Sequence, residues 1–578
     1  MPAARATPHD RALRPVLALI GALAGLAIWL FPEPVREWVP DPHVYLLLST
    51  FAFGFFAMLL ALVGPARATP ALPFAGAVSL GVALLVWWAS YRHSDVAAFL
   101  RLGYPVAAAG LILLVATPFA AAALRSRADW RHYPTLFELS WRILVRYASA
   151  VIFTALFWGL ILLSDALLQL VRVGLLAMLQ RHDAVPWLLT GAVFGLALAV
   201  VHEMRDYLSP YLVLRLLRLF VPVVLGVVAV FLLALPFSGL SDIVGSLSAA
   251  GTLLSVGLAA IVLVTVAIDR DPVEEVHDGW LRRSVQALAL VIPLLAALAL
   301  YAIAIRVGQY GWTPQRLIAL SVALVELAYG LAYGIAILRG GPWARRIRAA
   351  NVGMALLIVA LSVLWLSPVL VPERIAARDQ MARFADGVLP VADLPLRELG
   401  EDWGRPGRDV LEALRDTPEV AARIAETGVG TPTDDVVLTG DALRDALIEA
   451  LPVSGGALTP QMLAELPDRD LQDWLRACRR TVPDGPGCFL ALARFGDDAA
   501  DLRGVLILNT GAGWVETRGL VQSGGLMRVD GFVVDLLGGT TSNLTPDVLG
   551  ALHRGEGRIA PAGVSVLQVG PHGFYPEN

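Results

Sequence analysis

The sequence predicts an all-α polytopic membrane bundle of about eleven transmembrane helices, followed by a soluble α+β domain. Three observations predict it. Hydrophobic residues make up 57% of the 578 positions and charged residues only 16%, against about 25% charged in soluble domains. The charge is also unevenly divided. Residues 1–372 hold 26 Arg and 18 acids, a balance of +8, and residues 373–578 hold 19 Arg and 31 acids, a balance of −12; the two sum to the −4 of the chain. Finally, apolar runs of roughly 20 residues recur through the first part, and that length crosses a bilayer core about 30 Å thick at 1.5 Å per residue.

The runs extend from Val16 to Phe31, Val44 to Val63, Leu72 to Ser90, Tyr104 to Leu124, Val145 to Val171 and Pro186 to Val201. They continue from Tyr211 to Leu235, Ala250 to Ile268, Val285 to Ile305, Leu317 to Leu338 and Asn351 to Val371. The first could pass for a signal peptide, but ten similar segments follow it, so it is read as an uncleaved span. Cytoplasmic loops keep the positive charge. Of the 26 arginines in this region, 19 fall at one set of span ends and 7 at the other. That places the N-terminus in the cytoplasm and, after an odd number of spans, everything beyond Val371 outside it. Trp38, Trp87, Trp88, Trp187 and Trp312 fall near the interfaces, where aromatic anchors belong. The expected organisation is a transmembrane helical domain over 1–371, a helical post-membrane segment over 372–430 and an extracytoplasmic α+β domain over 431–578.

In the polar part, Arg374 to Phe384 and Arg408 to Leu414 read as helices. Thr417-Pro418, Thr459-Pro460 and Thr545-Pro546 each offer a Thr N-cap with Pro at the first helical position. Phe489 to Phe495, Gly504 to Asn509, Trp514 to Val521 and Met527 to Leu537 read as strands, and Thr510-Gly511-Ala512-Gly513 as the turn of a hairpin.

The chain has no lysine; all 45 of its basic residues are Arg, a usage that fits a GC-rich bacterial genome. This excludes a P-loop, which needs Lys on the phosphates, and a Schiff-base enzyme, which needs a Lys amine. His202-Glu203-Met204-Arg205-Asp206 approaches the zinc-protease pattern but has Asp where the second His belongs. No metal, cofactor or nucleic-acid partner is expected, and no catalytic residue is assigned.

Two acids lie inside spans, Asp165 in the fifth and Glu326 in the tenth. A charge there is costly and faces protein or water. Tyr329 and Tyr333 follow Glu326 at i+3 and i+7 on the same helical face, and Gly330 and Gly334 let another helix approach. Two readings stay open: a proton or cation site built from Asp165, Glu326, Tyr329 and Tyr333, or acids satisfied by neighbouring helices. Gly21 with Gly25 and Gly191 with Gly195 form small-xxx-small pairs that suggest close helix packing. Cys478 and Cys488 are the only cysteines. A turn-rich connection separates them and the topology puts both in an oxidising compartment, so they are expected to form a disulfide; two free core thiols are the alternative.

Phe137-Glu138-Leu139-Ser140-Trp141-Arg142, Ser164-Asp165-Ala166-Leu167-Leu168 and Pro372-Glu373-Arg374-Ile375-Ala376-Ala377-Arg378-Asp379-Gln380, taken with the span count, resemble the bacterial membrane family known as domain of unknown function 4153. The resemblance covers roughly residues 40–400. The stretch after the last span departs at several positions from the family's Asp-Pro-Phe-Arg-Ile run. The resemblance implies a topology and no activity. The functional expectation is a multi-pass inner-membrane scaffold in the lipid bilayer, presenting an extracytoplasmic domain to an envelope protein or ligand. The alternative is a secondary transporter or channel using the intramembrane carboxylates.

Overall fold

The computed structural model describes residues 8–576 except 66, 172, 205–209, 239–246, 271–274, 277–278, 428–437, 483, 496–501, 510–513, 530–532, 536–543, 562–564 and 570–571. The chain divides into two compact units, Met1–Gly430 and Thr431–Asn578.

Among the described residues, eleven helices of the first unit are long and apolar enough to cross a bilayer. They are Leu13–Leu30, Pro42–Leu62, Ala68–Ser90, Tyr104–Arg125, Tyr133–Gln169, Ala184–Glu203, Val213–Leu235, Ala249–Ile268, Gly279–Tyr310, Pro314–Leu338 and Trp343–Leu366. The first and sixth spans meet through glycines. A Cβ on Gly21 would collide with the carbonyl of Gly191, and one on Gly195 with that of Leu17. Only residues without side chains allow two backbones this close, as the paired small-xxx-small spacing requires. In the same way Gly330 makes room for Pro293 of the ninth span.

Polar ties join span ends in two sets, as alternating crossings demand. In one set, Arg14 near the start of the first span pairs with Glu203 at the end of the sixth at 2.5 Å, and Arg218 early in the seventh pairs with Asp269 just beyond the eighth. Two arginines of this set are almost fully buried. Arg146, 5% exposed, reaches from the fifth span to the end of the second, where it donates to the carbonyls of Val63 and Ala61, each at 3.0 Å, and of Leu60. Arg348, 6% exposed, reaches from the eleventh span to the end of the eighth, donating to Ile268 O at 2.5 Å and Asp269 O at 3.1 Å and pairing with Glu275 at 2.8 Å. The last carbonyls of a helix lack partners within it and carry the negative end of its dipole, so a guanidinium satisfies both deficits. Gly64, at φ 118°, turns the chain against Arg146 where a Cβ would strike Nη1.

At the opposite set of ends, residues 372–427 fold onto the bundle. The helices Pro372–Ala385, Gly404–Leu414 and Pro418–Thr427 enclose their own core around Trp403, Leu399, Leu411 and Val420. Gln380 donates to the carbonyls of Tyr310 and Trp312, at 3.0 and 3.2 Å, and Asp379 accepts the Trp312 amide at 2.7 Å. This fixes the loop between the ninth and tenth spans. The Arg405 amide donates to Arg92 O at 2.7 Å, and the His93 ring nitrogen Nε2 lies 3.1 Å from Asp402 O, fixing the loop between the third and fourth. His93 is 1% exposed. Burial pushes its imidazole below the ordinary range and Arg92 and Arg408 act in the same direction, against an opposing pull from Glu373.

In the second unit, β1 (Val453–Ser454), β4 (Cys488–Ala493), β5 (Arg503–Asn509), β6 (Val515–Ser523) and β7 (Leu526–Val529) form a five-stranded sheet in the order β1-β4-β5-β6-β7. β1 runs parallel to β4 and the other pairs are antiparallel. Alternation along the strands assigns each residue to one of two cores. Leu490, Leu492, Leu506 and Leu508 face the helices Gly440–Ala450 and Asp468–Cys478. Phe489, Ala491, Val505 and Ile507 pack with Leu549, Leu552, Leu567 and Val569. With both faces covered, β4 and β5 are apolar almost throughout. A second sheet has the order β8-β11-β10-β9, from Val533–Asp535, His572–Pro576, Ser565–Val569 and Arg558–Pro561. The short pair β2 (Thr481–Val482) and β3 (Gly485–Pro486) completes the set. The single strand expected over Met527 to Leu537 is therefore two: β7 ends the first sheet and β8 begins the second.

Candidate functional site

Glu326 sits at the middle of its span, twelve residues from Pro314 and twelve from Leu338. It is 2% exposed, and neither carboxylate oxygen has a hydrogen-bond partner among the described residues. Its carboxylate lies against Gly257 of the eighth span, where a Cβ would collide with Oε2. One turn further along, the rings of Tyr329 and Tyr333 meet edge to face at 5.7 Å.

Tyr333 opens a polar file that the sequence did not announce. Its hydroxyl donates to Asn351 Oδ1 of the eleventh span at 2.6 Å and lies 3.2 Å from Thr265 Oγ1 of the eighth. Asn351 Nδ2 in turn reaches the Tyr133 hydroxyl, at the start of the fifth span, at 3.5 Å. Side chains of four spans thus meet at one level, one helical turn inward from Arg348. Asn351 at the head of an otherwise apolar run was the legible signal. Tyr133 and Thr265 gave none, because a lone Tyr or Thr in a span is ordinary.

Asp165 stands apart from this group. It is 5% exposed while Leu162, Leu163 and Leu167 beside it are more than half exposed, so it faces inward from a lipid-facing stretch. Its oxygens accept from Gln169 Nε2 at 2.7 Å and from the Leu176 amide at 2.8 Å. It ties the end of the fifth span to the short helix Leu175–Leu179. Among the described residues no hydrogen bond or ion pair links Asp165 with Glu326. The structure brings Glu326, Tyr329 and Tyr333 onto one helix face and gives Asp165 a local role.

In the second unit Cys478, closing the helix Asp468–Cys478, and Cys488, opening β4, are joined as a disulfide with Cα atoms 4.6 Å apart. Both are buried in the helix-side core. Of the zinc-like run, Glu203 is engaged by Arg14 and Asp206 lies outside the described residues. Among the described residues no group of three or more His, Cys, Asp or Glu side chains is placed to hold a metal ion.

No curated protein and no solved structure matches this chain. The sequence does match one family profile, described as Domain of unknown function (DUF4153), over residues 55–394. That stretch is more than half of the chain and runs from the second span through the helix Pro372–Ala385. It contains the Arg146 and Arg348 caps, Glu326 with its tyrosines, and the Gln380 clamp. The chain is a multi-pass membrane protein belonging to the DUF4153 family.

Proposed function

We propose that this is a bacterial inner-membrane protein whose bundle carries residues 431–578 outside the cytoplasm, where that unit binds a component of the cell envelope. The observation that supports this reading is the self-sufficiency of the second unit: a sheet buried on both faces and stapled by Cys478–Cys488. Disulfides persist in oxidising compartments, which agrees with the arginine asymmetry of 19 to 7. Alkaline phosphatase is active only outside the cytoplasm, and fused after Asn578 it should be active; a stable but inactive fusion overturns the placement. A photo-crosslinking residue at exposed Trp514, introduced into the full chain in intact cells, should give an adduct of defined mass. Adducts confined to bundle positions would remove the binding role from this unit.

A second reading, a secondary transporter or channel, is favoured by Glu326. Burying a bare carboxylate costs far more than burying one that carries a proton or a cation, and among the described residues Glu326 has no hydrogen-bond partner to compensate it. Transport would then rest on Glu326 alone, not on Asp165. In reconstituted vesicles Glu326→Gln should abolish a pH-dependent flux and Asp165→Asn should leave it. A flux that survives Glu326→Gln removes this residue from coupling.

A further inference from the structure

Where the third and eleventh spans end, a pocket of about 490 Å³ opens between the bundle and the helices that follow it. Trp88, Arg92, Arg374, Arg378, Arg405 and Asp409 contribute to its lining. Four guanidiniums against one carboxylate leave a formal charge of +3. Arg92 is already committed, donating to Trp365 O at 2.9 Å, Ser367 O at 2.6 Å and the Tyr104 hydroxyl at 3.0 Å. Arg374, Arg378 and Arg405 are exposed, and among the described residues the guanidinium of none of them makes a salt bridge or hydrogen bond. Helix stability does not explain them. Arg374 and Arg405 lie in the first turns of Pro372–Ala385 and Gly404–Leu414, where the helix dipole disfavours a cation and favours an anion. Three unneutralised cations gathered in one concavity, two of them at helix N-termini, are an arrangement that an anion relieves.

The level of the pocket narrows the choice of anion. Trp88 lies two residues before the end of the third span and is 56% exposed, in the belt where Trp marks the junction of hydrocarbon and headgroup. Phosphate groups sit at that level, and guanidinium matches phosphate through paired, geometrically fixed hydrogen bonds.

We propose that this pocket binds a phosphate group at the bilayer surface, with Arg374, Arg378 and Arg405 as its ligands and Trp88 against the body of the molecule that carries it. The phosphate can arrive on a lipid headgroup or as a free ion, and the test separates the two. The full chain in detergent is titrated by native mass spectrometry with a short-chain phosphatidylglycerol, with phosphatidylcholine of the same chain length, and with inorganic phosphate. The expected result is preferential binding of phosphatidylglycerol that weakens with salt and falls at least tenfold in Arg374→Gln/Arg378→Gln/Arg405→Gln. A control triple, Arg127→Gln/Arg282→Gln/Arg283→Gln, removes the same charge at other exposed positions and should change binding less than twofold. Inorganic phosphate binding with the same arginine dependence would support the phosphate site and assign its source to the free ion. Equal losses in the two triples, or binding unaffected by the first, would overturn the proposal. Should the pocket triple not fold, the single variant Arg378→Glu carries the same test, with a loss of at least fivefold expected and an unchanged affinity overturning it.

Discussion

The carboxylate of Glu326 occupies space that Gly257 vacates: any side chain at 257 would drive into Oε2. The eighth span is built to accept an acid from the tenth at mid-bilayer, so the position of Glu326 depends on a residue with no chemistry of its own.

Gly257→Ala should therefore destabilise the bundle by about 1–3 kcal/mol, the usual cost of overpacking a filled core. Adding Glu326→Ala empties the space that the new methyl needs, so the double variant should be more stable than Gly257→Ala alone. Thermal unfolding in detergent would show this non-additivity, which contacting residues produce and distant ones do not. Simple addition of the two effects would mean that the side chains do not meet.

Arg146→Met leaves the carbonyls of Leu60, Ala61 and Val63 without their donor at the end of the second span. Hydrogen bonds to charged groups contribute about 1.5–3 kcal/mol, and a loss of at least that size is expected in denaturant titrations followed by helicity. Arg146→Lys should recover only part of it, because an ammonium does not present the planar fork that spans several carbonyls. Full recovery with Lys would show that charge alone matters there.

Docking of residues 372–427 on the bundle should weaken in mild acid. In the folded chain burial holds the His93 imidazole below its ordinary range, whereas in the undocked chain it titrates near about 6.5. The undocked form then binds more protons, so stability is full above about pH 6.5 and declines as pH falls below it. Asp402, whose carboxyl burial raises, acts with the opposite sign and only in the lower, carboxylate range. Hydrogen-exchange protection around Trp403, corrected for the intrinsic slowing of exchange in acid, should fall between pH 7 and pH 5.5, and His93→Gln should flatten the fall. The same slope in the variant would place the titrating group elsewhere.

Alkylation of the freshly isolated protein should label neither cysteine before reduction and both after it. Cys478→Ser/Cys488→Ser should cost the second unit about 2–4 kcal/mol, read as an earlier denaturation midpoint. Labelling of both thiols without reductant would be incompatible with the bond and would weaken the extracytoplasmic placement.

The spans were legible because length and apolarity in lipid leave little else to specify; each predicted run overlaps an observed helix. Two helix starts after the bundle were legible from Thr417-Pro418 and Thr459-Pro460, whose prolines open their helices; at Thr545-Pro546 the helix begins one residue later, at Asp547. The final strands were not. Arg558–Pro561, Ser565–Val569 and His572–Pro576 are short and interrupted by Gly and Pro, and their pairing is fixed by tertiary register, not by local pattern. In sequence, Arg146 and Arg348 stand out from the other arginines at span ends in no way, because their acceptors are backbone carbonyls about 80 residues away, and backbone acceptors carry no residue signature. The intramembrane site was half legible: Glu326 and its tyrosines announced themselves, but the glycine that admits Glu326 did not. Asp165 looked equivalent to Glu326 in sequence because the cap it makes to Leu176 depends on how the chain turns after the span.

The two carbonyl-capping arginines follow one script. Trp141 precedes Arg146 by five residues and Trp343 precedes Arg348 by five; one arginine closes the second span from the fifth, the other the eighth from the eleventh. The offset between the pairs is six spans, an even number, so both helices enter the bilayer heading the same way. The second and fifth spans, and likewise the eighth and eleventh, are thus each tied at one membrane surface by a guanidinium on the carbonyl end of the partner helix.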